Sequence, residues 1–190
     1  MKKIIIAMLI ALIIPCCLFA DRGLFDLTLG VAASSDYSVN EQPTEFSIEK
    51  FSFGADVEMK LAFVALDGKV MYAPTDKAIS GITSANLAID IFFVRVKAGL
   101  GYEYQYNFDD KTFWFGNVNG ASTSFGDFKQ ACFDITAGVD FLISNLTVGV
   151  NAVLPTSVSI GRGNWGDLFP TLKDNWKNAK LGLTVGFALL

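Results

Sequence analysis

The chain has 190 residues, 52% of them hydrophobic, 13% aromatic and only 18% charged, with a formal net charge of −4 and no histidine. Soluble domains carry about 25% charged residues, so this chain is apolar and charge-poor for one, and far too apolar for a disordered segment. Without histidine it has no Ser-His-Asp triad, Cys-His pair, imidazole zinc site or histidine base, which removes the commonest routes to hydrolytic and metal chemistry.

The first segment reads as an address. Lys2 and Lys3 form a positive start, IIIAMLIALII an apolar stretch, and PCCLFA ends on the small residue Ala20 before Asp21, the pattern of a secretory signal peptide over 1–20. The apolar stretch is shorter than the roughly 20 residues a spanning helix needs. A lipoprotein signal acylated at Cys16 or Cys17 is the alternative, disfavoured because Pro15 or Cys16 would occupy the small-residue slot before the cysteine. Cleavage near Ala20 removes two lysines and leaves 13 basic residues against 19 acidic ones, about −6. With no basic run, nucleic acid is not an expected partner. Cys132 is then the sole cysteine, so no intramolecular disulfide is expected.

Residues 21–190 read as one domain whose hydrophobic period is two. The first strand falls in LFDLTLGVAA. In FSFGADVEMKLAF, Phe51, Phe53, Ala55, Val57, Met59, Leu61 and Phe63 alternate with Ser52, Gly54, Asp56, Glu58 and Lys60. Asp67-Gly68 reads as a tight turn, followed by a brief third strand over Lys69 to Ala73 that Pro74 ends. A third short turn is expected near Phe92 to Val94, where the parity of NLAIDIF hands over to VRVKAGLGYEYQY, which sets Val94, Val96, Ala98, Leu100, Tyr102, Tyr104 and Tyr106 against Arg95, Lys97, Gly99, Gly101, Glu103 and Gln105. CFDITAGVDFLI, a turn at Ser144-Asn145, LTVGVNAVL and AKLGLTVGFAL complete eight strands. Long polar links are expected at 35–49, 74–84, 107–130 and 161–178, alternating with the short turns.

Eight antiparallel strands of about 9–11 residues, apolar on one face and with short and long connections in alternation, are the signature of a membrane barrel. The pattern resembles the small eight-stranded outer-membrane β-barrel proteins of the OmpW, OmpX and OmpA-barrel type, over the whole of 21–190 and without a diagnostic motif. The resemblance implies an all-β fold: a single eight-stranded antiparallel up-and-down transmembrane β-barrel with short periplasmic turns and long extracellular loops. It also implies insertion into outer-membrane lipid by the barrel-assembly machinery. Such barrels usually end on an aromatic residue; this chain ends Ala188-Leu189-Leu190, with Phe187 nearest. A soluble lipocalin-like secreted barrel would show the same alternation with its faces exchanged, but the non-apolar face here is built largely of Gly, Ala, Ser and Thr, which suits a cramped lumen better than a solvated exterior.

With that face inward, the lumen receives Asp26, Asp56, Glu58, Lys60, Asp90, Arg95, Lys97, Glu103, Asp134, Asp140 and Lys180, seven acids and four bases. Enclosed charges persist only when paired, so a salt-bridge network centred on Arg95 and Lys97 is expected to plug the barrel. Phe51, Phe53, Tyr102, Tyr104 and Tyr106 read as an aromatic girdle. Trp114, Trp165 and Trp176 fall in or beside the third and fourth long links, as interfacial anchors or a loop surface for ligands. Gly99-Leu100-Gly101 lies within a strand and is no nucleotide fingerprint; Asp109, Asp110 and Asp127 are only a weak pattern for calcium. No catalytic residue, metal or cofactor is expected. The functional expectation is a non-enzymatic, monomeric, surface-exposed barrel acting as structural component, adhesin or surface antigen through loops that meet host or extracellular ligands. A narrow, porin-like conduit of OmpW type for small hydrophobic solutes is the alternative.

Overall fold

Alternation fixes which face of each strand turns inward, and the computed structural model shows what those faces enclose. It describes residues 24–39, 47–116 and 130–189. The proposed signal segment, Asp127 and the centre of the third long link lie outside them. The strands are β1 (Phe25–Ser38), β2 (Phe51–Leu61), β3 (Val64–Ala73), β4 (Ala78–Ile91), β5 (Val94–Asn107), β6 (Thr112–Phe115), β7 (Cys132–Ile143), β8 (Leu146–Ser159) and β9 (Lys180–Ala188). Neighbours in sequence pair antiparallel, β5 pairs β7 beside its short hairpin with β6, and β1 pairs both β2 and β9. Eight strands therefore close on themselves, and β6 is an extra strand on the rim. No helix among the described residues is long and apolar enough to cross a membrane.

The barrel is inverted relative to a soluble domain. Charged side chains are the buried ones, and Leu29, Val31, Val57, Met59, Leu66, Val70, Leu87, Val96, Val139, Val150, Leu183 and Val185 stand exposed on the outside. Fourteen-residue strands such as β5 extend about 45 Å at 3.3 Å per residue, and a tilt near 40° leaves a wall of about 35 Å. That exceeds the apolar band of about 25 Å typical of such barrels. Phe25, Phe63, Phe92, Phe93, Phe141 and Phe187 project outward at the end that carries the short turns and the outer ends of β1 and β9. Toward the other end, register aligns Phe53 with Tyr72, Tyr72 with Ile79 and Ile79 with Tyr106. The outer surface thus has two aromatic belts with aliphatic side chains between them.

Several expectations require correction. The first short turn is Ala62-Phe63; Asp67 and Gly68 sit in the middle of β3, which begins at Val64 rather than Lys69. The link at 74–84 shrinks to the four residues 74–77, because Ala78 already pairs with Ala73. The strict alternation of short and long links therefore fails at β3–β4. The link at 107–130 contains β6, reached through Phe108-Asp109-Asp110-Lys111, a second four-residue turn. In both four-residue turns the last residue, Lys77 or Lys111, takes a positive φ, as in hairpin loops built on a type I turn followed by a left-handed residue. Three of the eight barrel strands, β2, β3 and β9, keep to 9–11 residues, while β7 runs to 12 and β1, β4, β5 and β8 to 14.

Candidate functional site

The lumen is the candidate site, and its charged part lies toward the short-turn end. Register places Asp26 opposite Lys60, and Asp90 opposite Arg95, which in turn pairs with Asp140. All five lie within a few residues of a turn or strand start, on inward parity. Arg95 is fully buried and spreads its guanidinium over three strands. Nη2 donates to Asp26 Oδ2 at 2.7 Å and to Asp90 Oδ2 at 3.1 Å, Nη1 to Glu58 Oε1 at 2.5 Å and Nε to Asp90 Oδ1 at 2.7 Å. A planar fork with five donors fits such multiple recognition; an ammonium does not. Lys97, one step up β5, pairs with Glu58, with Asp140 at 2.8 Å and with Asp67 at 3.7 Å. Lys60 closes on Asp90 at 2.9 Å, and Lys69 on Asp67 at 2.5 Å and Asp56 at 3.4 Å.

Ten side chains from β1 to β5 and β7 thus form one connected set with six acids and four bases. Asp67 and Lys69 belong to it although the sequence reading placed them at a turn and a short strand. The signal was available: Val64, Leu66, Val70 and Tyr72 alternate with Ala65, Asp67, Lys69 and Met71, and extending the period through Gly68 would have found both. Thr28 donates to Asp26 at 3.2 Å, while Thr136 Oγ1 and Asn86 Oδ1 lie 2.7 Å apart, so hydroxyls and amides continue the polar packing. Charges in low dielectric need such saturation to be tolerated.

The remaining three residues of the expected charge set stand apart. Glu103, Asp134 and Lys180 lie higher in the lumen; Asp134 is fully buried and has Glu103 and Lys180 as charged neighbours. Among the described residues none of the three closes an ion pair. Here the lumen opens into linked pockets. One of about 80 Å³ at the mouth is lined by Ser34, Ser52, Glu103, Gln105, Trp114 and Lys180 among others. One of about 30 Å³ lies deeper beside Lys69 and Asn151, and one of about 20 Å³ reaches Lys97 and Asp67. Since a water needs roughly 10–15 Å³, the funnel has room for a short file of waters at the mouth and about one at its foot.

The aromatic residues divide differently from the sequence reading. Trp114 is not on a loop: it lies in β6 opposite Gln105, half-buried, and lines the mouth pocket. Tyr104 covers Gly81 on the outer face and its hydroxyl meets the Lys69 carbonyl at 3.3 Å. Tyr106 packs edge-on against Phe108 at 5.4 Å. Phe51 lies 6.4 Å from both Phe53 and Tyr37. Tyr102 stacks with Phe115 at 5.2 Å and tilts on Phe133 at 4.5 Å, and Phe133 meets Trp165 at 5.3 Å. Trp165 therefore leans on the outer wall, while Trp176 lies exposed in the β8–β9 connection. Asp109 is held by Lys77 at 3.1 Å across two neighbouring turns, and among the described residues no cluster of three or more metal-ligating side chains occurs.

A solved structure of neisserial surface protein A (NspA) is similar to this chain, with 14% sequence identity, a TM-score of 0.39, and coverage of 86% of this chain and 94% of that one. No family model matches the sequence, and no curated protein sequence does.

Proposed function

We propose that this chain is an integral outer-membrane barrel without enzymatic activity, which presents its longer connections at the cell surface as a structural component, adhesin or surface antigen. The observation that carries the reading is the inversion of the wall: Arg95 is 0% exposed while the large apolar side chains stand outside between two aromatic belts. Such a surface is stable against lipid and not against water. The short turns and both barrel termini then face the periplasm, the β8–β9 connection and the β6 rim face outward, and the barrel acts as a monomer. Arg95 and Lys97, with the acids they bind, support a plug rather than a conduit, because the funnel ends where their network begins.

Three measurements on the protein test this. The mature chain is expected in the outer-membrane fraction, to migrate differently on denaturing gels with and without boiling, and to give no large steady current in planar bilayers. Recovery in the soluble periplasmic fraction would overturn the membrane reading, and steady single-channel currents would overturn the plug.

A further inference from the structure

The connection between β8 and β9 carries an apolar face that, apart from the contact of Trp165 with Phe133, stands exposed among the described residues. It comprises a 3-10 turn (Trp165–Asp167), helix α1 (Leu168–Asn175) and a second 3-10 turn (Trp176–Asn178). Trp165, Phe169, Leu172 and Trp176 recur at helical spacing, so they share one stripe. All four are exposed, at 47, 79, 44 and 51%. Thr171, toward the opposite side, is buried where the helix packs against β8. Lys173 and Lys177, four residues apart, flank the apolar stripe and point to solvent. Asp167 is turned away to Asn164, whose amide donates to it at 3.0 Å.

Two features say what covers this stripe. First, it is continuous with the outer wall: Trp165 packs on Phe133, which lies on the outward parity of β7 and joins Tyr102 and Phe115. Second, the charges nearest the stripe are the cations Lys173 and Lys177, since helical spacing sets the exposed Asp174 on the side away from it. We propose that 165–178 is an interfacial amphipathic segment lying on the bilayer around the barrel, with Phe169, Leu172 and Trp176 in the acyl boundary and Lys173 and Lys177 on lipid phosphates. Aromatic and aliphatic residues on one face with lysines beside them is the arrangement that lies in a membrane interface, and long lysine stems let the ammonium groups reach headgroups while the stem covers apolar surface. The inference rests on the membrane reading above and adds that a loop segment, not only the wall, is lipid-bound.

The test uses the mature chain with Trp114 and Trp165 replaced by phenylalanine, leaving Trp176 as reporter, folded into vesicles. With bromine on acyl carbons just below the headgroups, Trp176 emission is expected to be strongly quenched. In vesicles containing phosphatidylglycerol, Lys173→Gln and Lys177→Gln are each expected to shift the docking equilibrium about fivefold toward undocked, and in pure phosphatidylcholine to do little. Phe169→Ser should reduce quenching in both lipids. The gel shift on boiling reports insertion of the barrel independently. Unquenched Trp176 in an inserted barrel overturns the segment's docking alone. Quenching that ignores both lysine substitutions in anionic vesicles overturns the phosphate contact. A chain that never inserts overturns this inference and the membrane reading together.

Discussion

Replacing Arg95 with alanine is expected to destabilise the barrel more than any other single truncation in the lumen. The guanidinium is fully buried and donates four hydrogen bonds to three carboxylates, those of Asp26, Glu58 and Asp90, at 2.5 to 3.1 Å. Its removal leaves these acids in the lumen with fewer partners: Asp90 keeps Lys60, Glu58 keeps Lys97 and Asp26 keeps the Thr28 hydroxyl. Removing one member of a buried ion pair costs about 3–5 kcal/mol, mostly through the charge left behind. With a urea dependence of about 2 kcal/mol/M, the unfolding midpoint should fall by about 2 M, read as the fraction of folded, fast-migrating species on unboiled gels. Arg95→Lys keeps the charge but not the fork, and should fall between alanine and wild type. If the cost comes from stranded acids, the triple variant Arg95→Met, Asp26→Asn, Glu58→Gln should recover most of the loss, since Lys97 retains Asp140 and Lys60 retains Asp90. An alanine variant with an unchanged midpoint, or a triple variant worse than alanine, would refute the reasoning.

Three further outcomes follow from the geometry. A Cβ at Gly54 would run into the Val70 carbonyl and lie 2.6 Å from the Met71 Cα, both of them backbone, so Gly54→Ala should cost about 1–3 kcal/mol; at Gly68 a Cβ meets nothing within 4 Å, and Gly68→Ala should be neutral or stabilising by about 0.4–1 kcal/mol in the same urea titration. Lys77 and Asp109 are about two-thirds exposed, at 64 and 62%, so Lys77→Ala should change stability by less than about 1 kcal/mol, in contrast to the lumenal cations.

The sequence carried the architecture where one face was consistently apolar and the other consistently not. In β2 and β9 charged or small residues occupy every inward position, and β5 and β7 depart from this only toward their ends, at Gln105, Asn107 and Leu142, so the faces are unambiguous. The misreading at Asp67-Gly68 came from turn chemistry: Asp-Gly is a strong hairpin signal, yet here Asp67 is an inward ion-pair partner and Gly68 an outward residue of mid-strand. The real reversal at Ala62-Phe63 carries no such signal, and the one at Phe92-Phe93 was legible only through the handover of parity near Phe92. Ala62 and Phe92 take φ of 54° and 55°, a conformation that glycine adopts more readily, and the phenylalanines beside them belong to the apolar end of the wall. Ser144-Asn145, which does look like a turn, was legible, with Ser144 at φ 54°. The first half of β4 was hidden because Ser80, Gly81, Thr83 and Ser84 read as a polar link; in the barrel Gly81 lies beneath Tyr104 and Ser84 faces the lumen. Inward parity located the charged residues, but not which would meet. Glu103, Asp134 and Lys180 share the parity of the network and lie higher in the lumen, a separation set by strand stagger that alternation alone does not encode.

The barrel is not held equally around its circumference. Among the described residues every ion pair within the lumen joins side chains of β1 to β5 and β7, and none involves β8 or β9. Along the seam where β9 meets β1, the inward residues are Thr28, Gly30, Ala32 and Ser34 against Ala188, Gly186, Thr184 and Gly182, so on the lumenal side that junction rests on backbone pairing and close approach, with apolar pairs such as Leu29 and Phe187 or Val31 and Val185 on the outer face. It also joins the first and last strands of the barrel, the pairing with the greatest separation along the chain, whose closure costs the most loop entropy. The closing seam is therefore expected to part first: among the barrel strands, hydrogen exchange should be fastest along β9, while the Arg95 side of the wall stays protected.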